Sequence, residues 1–133
     1  YPGAALEERG AGAYDRRMDC SFTSAERLRR QNDIDAVYQT GRRWHGRFLR
    51  IHVMPNRQTL SRLAISVPKR VCGSVERNRW KRLIRESFRL NKEAIGPGLD
   101  LVVVPLRPPE ALKRPEVEAA LVELVKRHRA KFP

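Results

Sequence analysis

A chain of 133 residues with 41% apolar and 32% charged residues fits one domain around a single core, and its longest apolar stretch, Leu99 to Leu106, is broken by Asp100 and Pro105, far short of the roughly 20 residues of a membrane span. The formal net charge is +13 and it is localised: residues 1–23 sum to −1, residues 24–92 to +13 and residues 93–133 to +1. Such an uncompensated field on one part of a small domain repels itself unless a polyanion neutralises it, which ranks nucleic acid first as a partner and an anionic membrane surface second.

Tyr1 to Ser21 mixes both charge signs with Pro2 and three glycines and has no periodicity, so it is expected to be a mobile tail. It lacks the basic start and apolar centre of a secretory signal, and a cytoplasmic location is the default expectation. Cys20 and Cys72 form no metal-binding spacing and are expected as ordinary reduced thiols. After an extended lead-in over Arg27 to Gln31, Asn32 is placed to cap a short helix in which Ile34, Val37 and Tyr38 recur at helical spacing up to Thr40-Gly41. Phe48 to Met54 alternates, with Leu49, Ile51 and Val53 on one face and Phe48, Arg50, His52 and Met54 on the other. Pro55-Asn56 turns the chain, which predicts a hairpin with a second strand through Leu63, Ile65 and Val67. Val75 to about Leu90 is the longest helical pattern, and Leu99 to Val104 suits a strand buried on both faces. Pro115 opens a last helix with Val117, Leu121, Leu124, Val125 and His128 in one stripe. Three strands are clear in this reading. The sum is an α+β sandwich with helices packed on one sheet.

The long helix carries the charge. At roughly 100° per residue, Trp80, Leu83, Ile84, Ser87 and Phe88 share one arc and form its core face. Arg77, Asn78, Arg79, Lys81, Arg82, Arg85 and Arg89 fall outside that arc, with Glu86 among them as a partner for Arg82 and Arg89. A solvated helix face laced with ion pairs is the usual meaning of a charge run, but here the cations far outnumber the acid. Arginine also dominates over lysine, and its planar fork grips phosphate oxygens bidentately and stacks on bases. The turn Val71-Cys72-Gly73-Ser74 before the helix adds free N–H groups at its start. Phosphate-backbone binding is the reading these residues support.

Lys69-Arg70, followed by the run from Val75-Glu76-Arg77-Asn78-Arg79-Trp80-Lys81-Arg82 to Arg85-Glu86-Ser87-Phe88-Arg89, resembles the signature of the bacterial ribonuclease P protein family. The resemblance extends to Arg27-Leu28, the short helix, Leu63 to Val67, Asp100 to Val104 and the last helix, leaving residues 1–21 as a tail before a domain of residues 22–133. It implies a central four-stranded sheet packed with three helices and a left-handed βαβ crossover through the basic helix. It also implies an accessory subunit of an endoribonuclease, in which a catalytic RNA and its magnesium ions remove the 5′ leader of precursor transfer RNA. Mapped residue by residue, the RNA-docking helix is Arg77, Asn78, Arg79, Lys81, Arg82, Arg85 and Arg89, and the leader cleft is Ile34, Tyr38, His52, Ser66 and Arg70. Ile34 stands where an aromatic is usual and Cys72 where glycine is frequent. No cofactor held by the protein alone, no membrane and no obligate protein partner are implied.

Weighed singly, Tyr38 suits a core as well as a stacking platform, and the resemblance assigns it to the cleft. His52 has no second ligand at metal spacing, so base or phosphate contact is expected of it. Trp44 is expected at a loop end covering the core, and His45 and His128 as unremarkable. The chain has no Walker loop, no H-E-x-x-H, no G-x-S-x-G and no carboxylate cluster in its basic part, so cleavage by the polypeptide alone is not expected. A general RNA- or DNA-binding domain, for example a ribosomal one, needs the same charge but no leader-sized cleft, and is the alternative.

Overall fold

An unbroken apolar run such as Leu99–Pro105 needs cover on both faces and a neighbour along each edge. In the computed structural model, which describes residues 22–109 and 112–132, that run is an interior strand buried at every position. The strands are β1 (Arg42–His45), β2 (Leu49–Pro55), β3 (Arg62–Ile65) and β4 (Leu99–Pro105), in the order β1-β2-β4-β3. β2 runs antiparallel to both β1 and β4, whereas β3 runs parallel to β4. The helices are α1 (Gln31–Thr40), α2 (Ser74–Leu90), the single turn α3 (Lys92–Ile95) and α4 (Arg114–Lys131), preceded by a 3-10 turn at Ser24–Glu26. The expected tail lies outside the described residues.

Strand alternation sorts side chains to two faces. Leu49, Ile51 and Val53 of β2, Leu63 of β3 and Leu101 and Val103 of β4 meet Trp80, Ile84 and Phe88 of α2 and Val117, Leu121, Leu124 and Val125 of α4 in the main core. On the opposite face a smaller cluster of Leu28, Val37, Val102 and Val104 forms under α1, with Ile34, Met54 and Ala64 against it. The α2 and α4 core faces are thus those the periodicity predicts.

Several expectations are corrected. Pro55-Asn56 does turn the chain, but β2 and β3 do not pair as a hairpin: β4 lies between them and pairs with both. The hairpin is β1 with β2, and Trp44 sits within β1, its Nε1 donating to His128 Nδ1 at 3.1 Å. His128 is therefore a buried structural residue, 3% exposed. Among the described residues there are four α-helices and not three, because Asn91 bonds back to Ser87 through its side chain and starts α3. α1 begins two residues early, with Asn32 inside its first turn and Arg30 in the cap position. Arg27 of the lead-in forms a parallel bridge to Leu63, which continues the sheet past β3.

Candidate nucleic-acid interface

The arc of α2 turned away from Trp80, Ile84 and Phe88 divides into free and engaged cations. Asn78, Arg82 and Arg85 are exposed and Arg77 and Lys81 half-buried, and none of these five side chains has a hydrogen bond or ion pair to a described residue. Arg79 and Arg89 are used internally. Arg79 donates to the Leu112 carbonyl at 2.7 Å, tying α2 to the segment before α4, and Arg89 grips both oxygens of Glu86 at 2.7 and 3.1 Å. Glu86 pairs with Arg89 and not with Arg82, because i,i+3 spacing lets the Arg89 fork reach back along one side of the helix. That bond to Arg89 holds its carboxyl below the usual carboxylate range. At the helix start, Glu76 Oε1 accepts the Gly73 N–H at 3.3 Å, so an acid already occupies part of the expected anion site. The exposed remainder is a ridge of cations, with Asn78 on it as a further donor, suited to phosphates.

The second predicted group lies on the α1 face of the sheet. Tyr38, one turn after Ile34, is 39% exposed, and its ring stands edge-on to His52 with centroids 4.6 Å apart. His52 is only 7% exposed, because α1 covers the face that alternation leaves free of the main core. Its Nε2 accepts a hydrogen bond from Arg50 Nε at 3.1 Å. Arg50 is the residue the candidate set omits: alternation places it on the correct face, but its link to His52 needs side-chain geometry. The register sets Arg50 opposite Val104, and Ser66, whose N–H donates to the Val103 carbonyl, lies past the end of β3 on the other side of Val104. Arg70 is exposed in the turn that leads to α2. Tyr38 and Arg50 therefore each contact His52 and Ser66 borders the same floor, whereas Arg70 has no hydrogen bond, ion pair or ring contact to this group. Ile34 is half-buried and lines a separate groove of about 270 Å³ with Arg27, Arg29, Ala64, Lys81 and Arg85, which joins the α1 side to the α2 ridge.

Burial first, then the charges of Arg50, Arg43 and His45, lower the His52 pKa from 6.5 to about 4. The imidazole is neutral near pH 7 and available as the acceptor that Arg50 uses. A depressed folded-state pKa means the unfolded chain takes up the proton first, so this stability is complete above about pH 6.5 and is lost as the pH falls towards 4. Allowing for solvent screening, the loss by pH 5 is on the order of 1–2 kcal/mol. His128, also lowered chiefly by burial, adds in the same direction. Urea midpoints at pH 7.5 and pH 5 test this: His52→Asn is expected to flatten the dependence in part, and an unchanged slope would remove His52 as its source.

Among the described residues, no group of three or more His, Cys, Asp or Glu is placed to hold a metal ion, and no helix is long and apolar enough to cross a membrane. The one described cysteine, Cys72, is a free thiol whose pKa burial pushes up.

Residues 22–129 match the family model described as Ribonuclease P. A ribonuclease P protein component from Lachnoclostridium phytofermentans is 37% identical over 105 residues, covering 79% of this chain and 90% of that protein. Among solved structures, the ribonuclease P protein from Thermotoga maritima aligns with a TM-score of 0.71 at 32% identity, over 77% of this chain and 96% of that one. The one from Staphylococcus aureus aligns with a TM-score of 0.67 at 27% identity, over 76% and 93% respectively.

Proposed function

The chain belongs to the ribonuclease P protein family, the accessory subunits of a ribonucleoprotein endoribonuclease that removes transfer RNA 5′ leaders, and we propose that two of its surfaces divide that work. The free cations of α2 dock on the catalytic RNA, and the cleft beside α1 receives the single-stranded 5′ leader of the precursor. The observation that carries the second half is the exposed Tyr38 ring held edge-on against a buried, neutral His52, with Arg50 bonded to that histidine. A ring with one open face stacks a base of any identity, and an arginine beside it meets the phosphate.

Both tasks are positioning tasks. Glu86, the carboxylate nearest the middle of the basic ridge, is bound by Arg89, and among the described residues it belongs to no group of three or more His, Cys, Asp or Glu placed to hold a metal ion. In this reading the magnesium ions of the holoenzyme are held by the catalytic RNA, and no step of cleavage is routed through a metal held by this chain. What the protein adds is positive charge between two polyanions and a fixed path for the leader. In the same reading it works in the cytoplasm, where precursors meet the catalytic RNA.

The test is a pair of binding titrations with the reconstituted holoenzyme. Tyr38→Ala is expected to remove stacking worth about 1–3 kcal/mol per base, roughly a 5- to 150-fold weaker affinity for precursor bearing a leader. Affinity for mature transfer RNA, which has no leader, and for the catalytic RNA is expected to hold. Equal losses on both substrates would make Tyr38 a packing residue and relocate the cleft.

A further inference from the structure

On β1 and β2 the antiparallel register sets Arg43 opposite His52 and His45 opposite Arg50. Residues two apart on a strand share a face, so all four stand on the α1 face of the sheet, with His52 packed under Tyr38 of α1 and Arg43 and His45 exposed on the edge strand. Each arginine faces a histidine across the strands. The two guanidinium groups lie on a diagonal, the arrangement that avoids placing like charges directly opposite each other. Arg43 and His45 are exposed and have no hydrogen bond or ion pair to any described residue. Arg50 makes one such bond, from Nε to His52, which fixes the plane of its guanidinium and leaves both terminal amino groups unengaged among the described residues.

We infer that this Arg43-His45-Arg50-His52 block is a second segment of the RNA path, a binding track for the phosphates of single-stranded RNA that has already passed Tyr38. The inference rests on the reading of the α1 cleft as the leader site, and it adds a direction and a length to that site. The leader leaves α1 over β2 and crosses the sheet edge at β1, so nucleotides farther from the cleavage site meet Arg50 first and Arg43 last. His52 acts here as a positioning residue: as a neutral acceptor it holds Arg50 with its fork outward, ready for bidentate contact with a phosphate.

Cations on an edge strand also block unwanted strand addition, and that role alone gives no dependence on leader length. The experiment therefore uses holoenzyme and a series of precursors whose leaders grow one nucleotide at a time. Arg43→Ala is expected to leave affinity for the shortest leaders unchanged and to weaken binding about fivefold once the leader reaches β1. Its log–log salt slope is expected to fall by about 0.7 on long leaders only. Arg50→Ala is expected to show the same break at a shorter leader, and Arg43→Lys to recover part of the loss. Arg43 is exposed, so the variant is expected to melt with the parent protein. A loss equal at every length, or no loss with increased aggregation, overturns the track. Should Tyr38→Ala show no preference for leader-bearing substrate, the cleft itself is misplaced, whereas a Tyr38 effect without a length break for Arg43 overturns only the extension.

Discussion

Replacing Arg82 and Arg85 together with alanine is expected to weaken binding to the catalytic RNA by about 100-fold, roughly tenfold per lost charge-assisted contact. Both side chains are exposed on α2 and neither is held by a described residue, so their guanidinium groups reach the RNA without giving up an internal bond. Each phosphate contact removed also releases one fewer counterion, and the log–log salt dependence flattens by about 0.9 per residue on duplex RNA or about 0.7 on single strands. Affinity measured across a range of salt concentrations reads both effects at once. Parallel salt lines for parent and variant would take the two arginines out of the interface. Arg79→Ala is a contrasting case. It breaks the bond to the Leu112 carbonyl, so a change in thermal stability accompanies any change in RNA affinity.

Trp80→Ala is expected to cost about 3–5 kcal/mol of folding stability. The indole is fully buried in the main core, and its Nε1 donates to the Arg107 carbonyl at 2.8 Å. Truncation leaves a large cavity between α2 and the sheet and strips a carbonyl of its partner. Domains of this size have about 5–15 kcal/mol in total, so a substantial unfolded fraction is expected at 37 °C. Trp80→Phe retains most of the buried area and is expected to lose clearly less. Urea denaturation followed by circular dichroism gives both values, and a loss below about 1.5 kcal/mol for the alanine variant would show that the core closes over the gap.

The core faces of α2 and α4 were legible because a long helix repeats its demand for burial every turn, and Trp80, Ile84, Phe88, Leu121 and Val125 all satisfy it. β1 was not. Arg42, Arg43 and His45 are exposed, and only Trp44 among the four residues is half-buried, so this edge strand carries too little alternation to be seen. The β2–β3 hairpin failed for a different reason. Each strand alternates correctly, but partner choice depends on Leu99–Pro105, which has apolar residues for both faces and claims both strands as neighbours. In the interface, the cationic ridge followed from helical spacing alone. The diversion of Arg79 to Leu112, 33 residues away, and the coupling of Arg50 to His52 depend on tertiary placement and chosen rotamers, which a one-dimensional pattern does not carry.

Because β4 sits between β2 and β3, the sheet is assembled out of chain order. During synthesis β2, β3 and the whole of α2 leave the ribosome before β4, so until β4 emerges the β1–β2 hairpin and the lone strand β3 have no shared partner and the basic amphipathic helix has part of its apolar side uncovered. Long-range pairing of this kind slows folding relative to a helical bundle of equal size. The nascent protein thus presents its most RNA-avid segment, beside the largest RNA assembly in the cell, before Leu99–Pro105 has locked it in place.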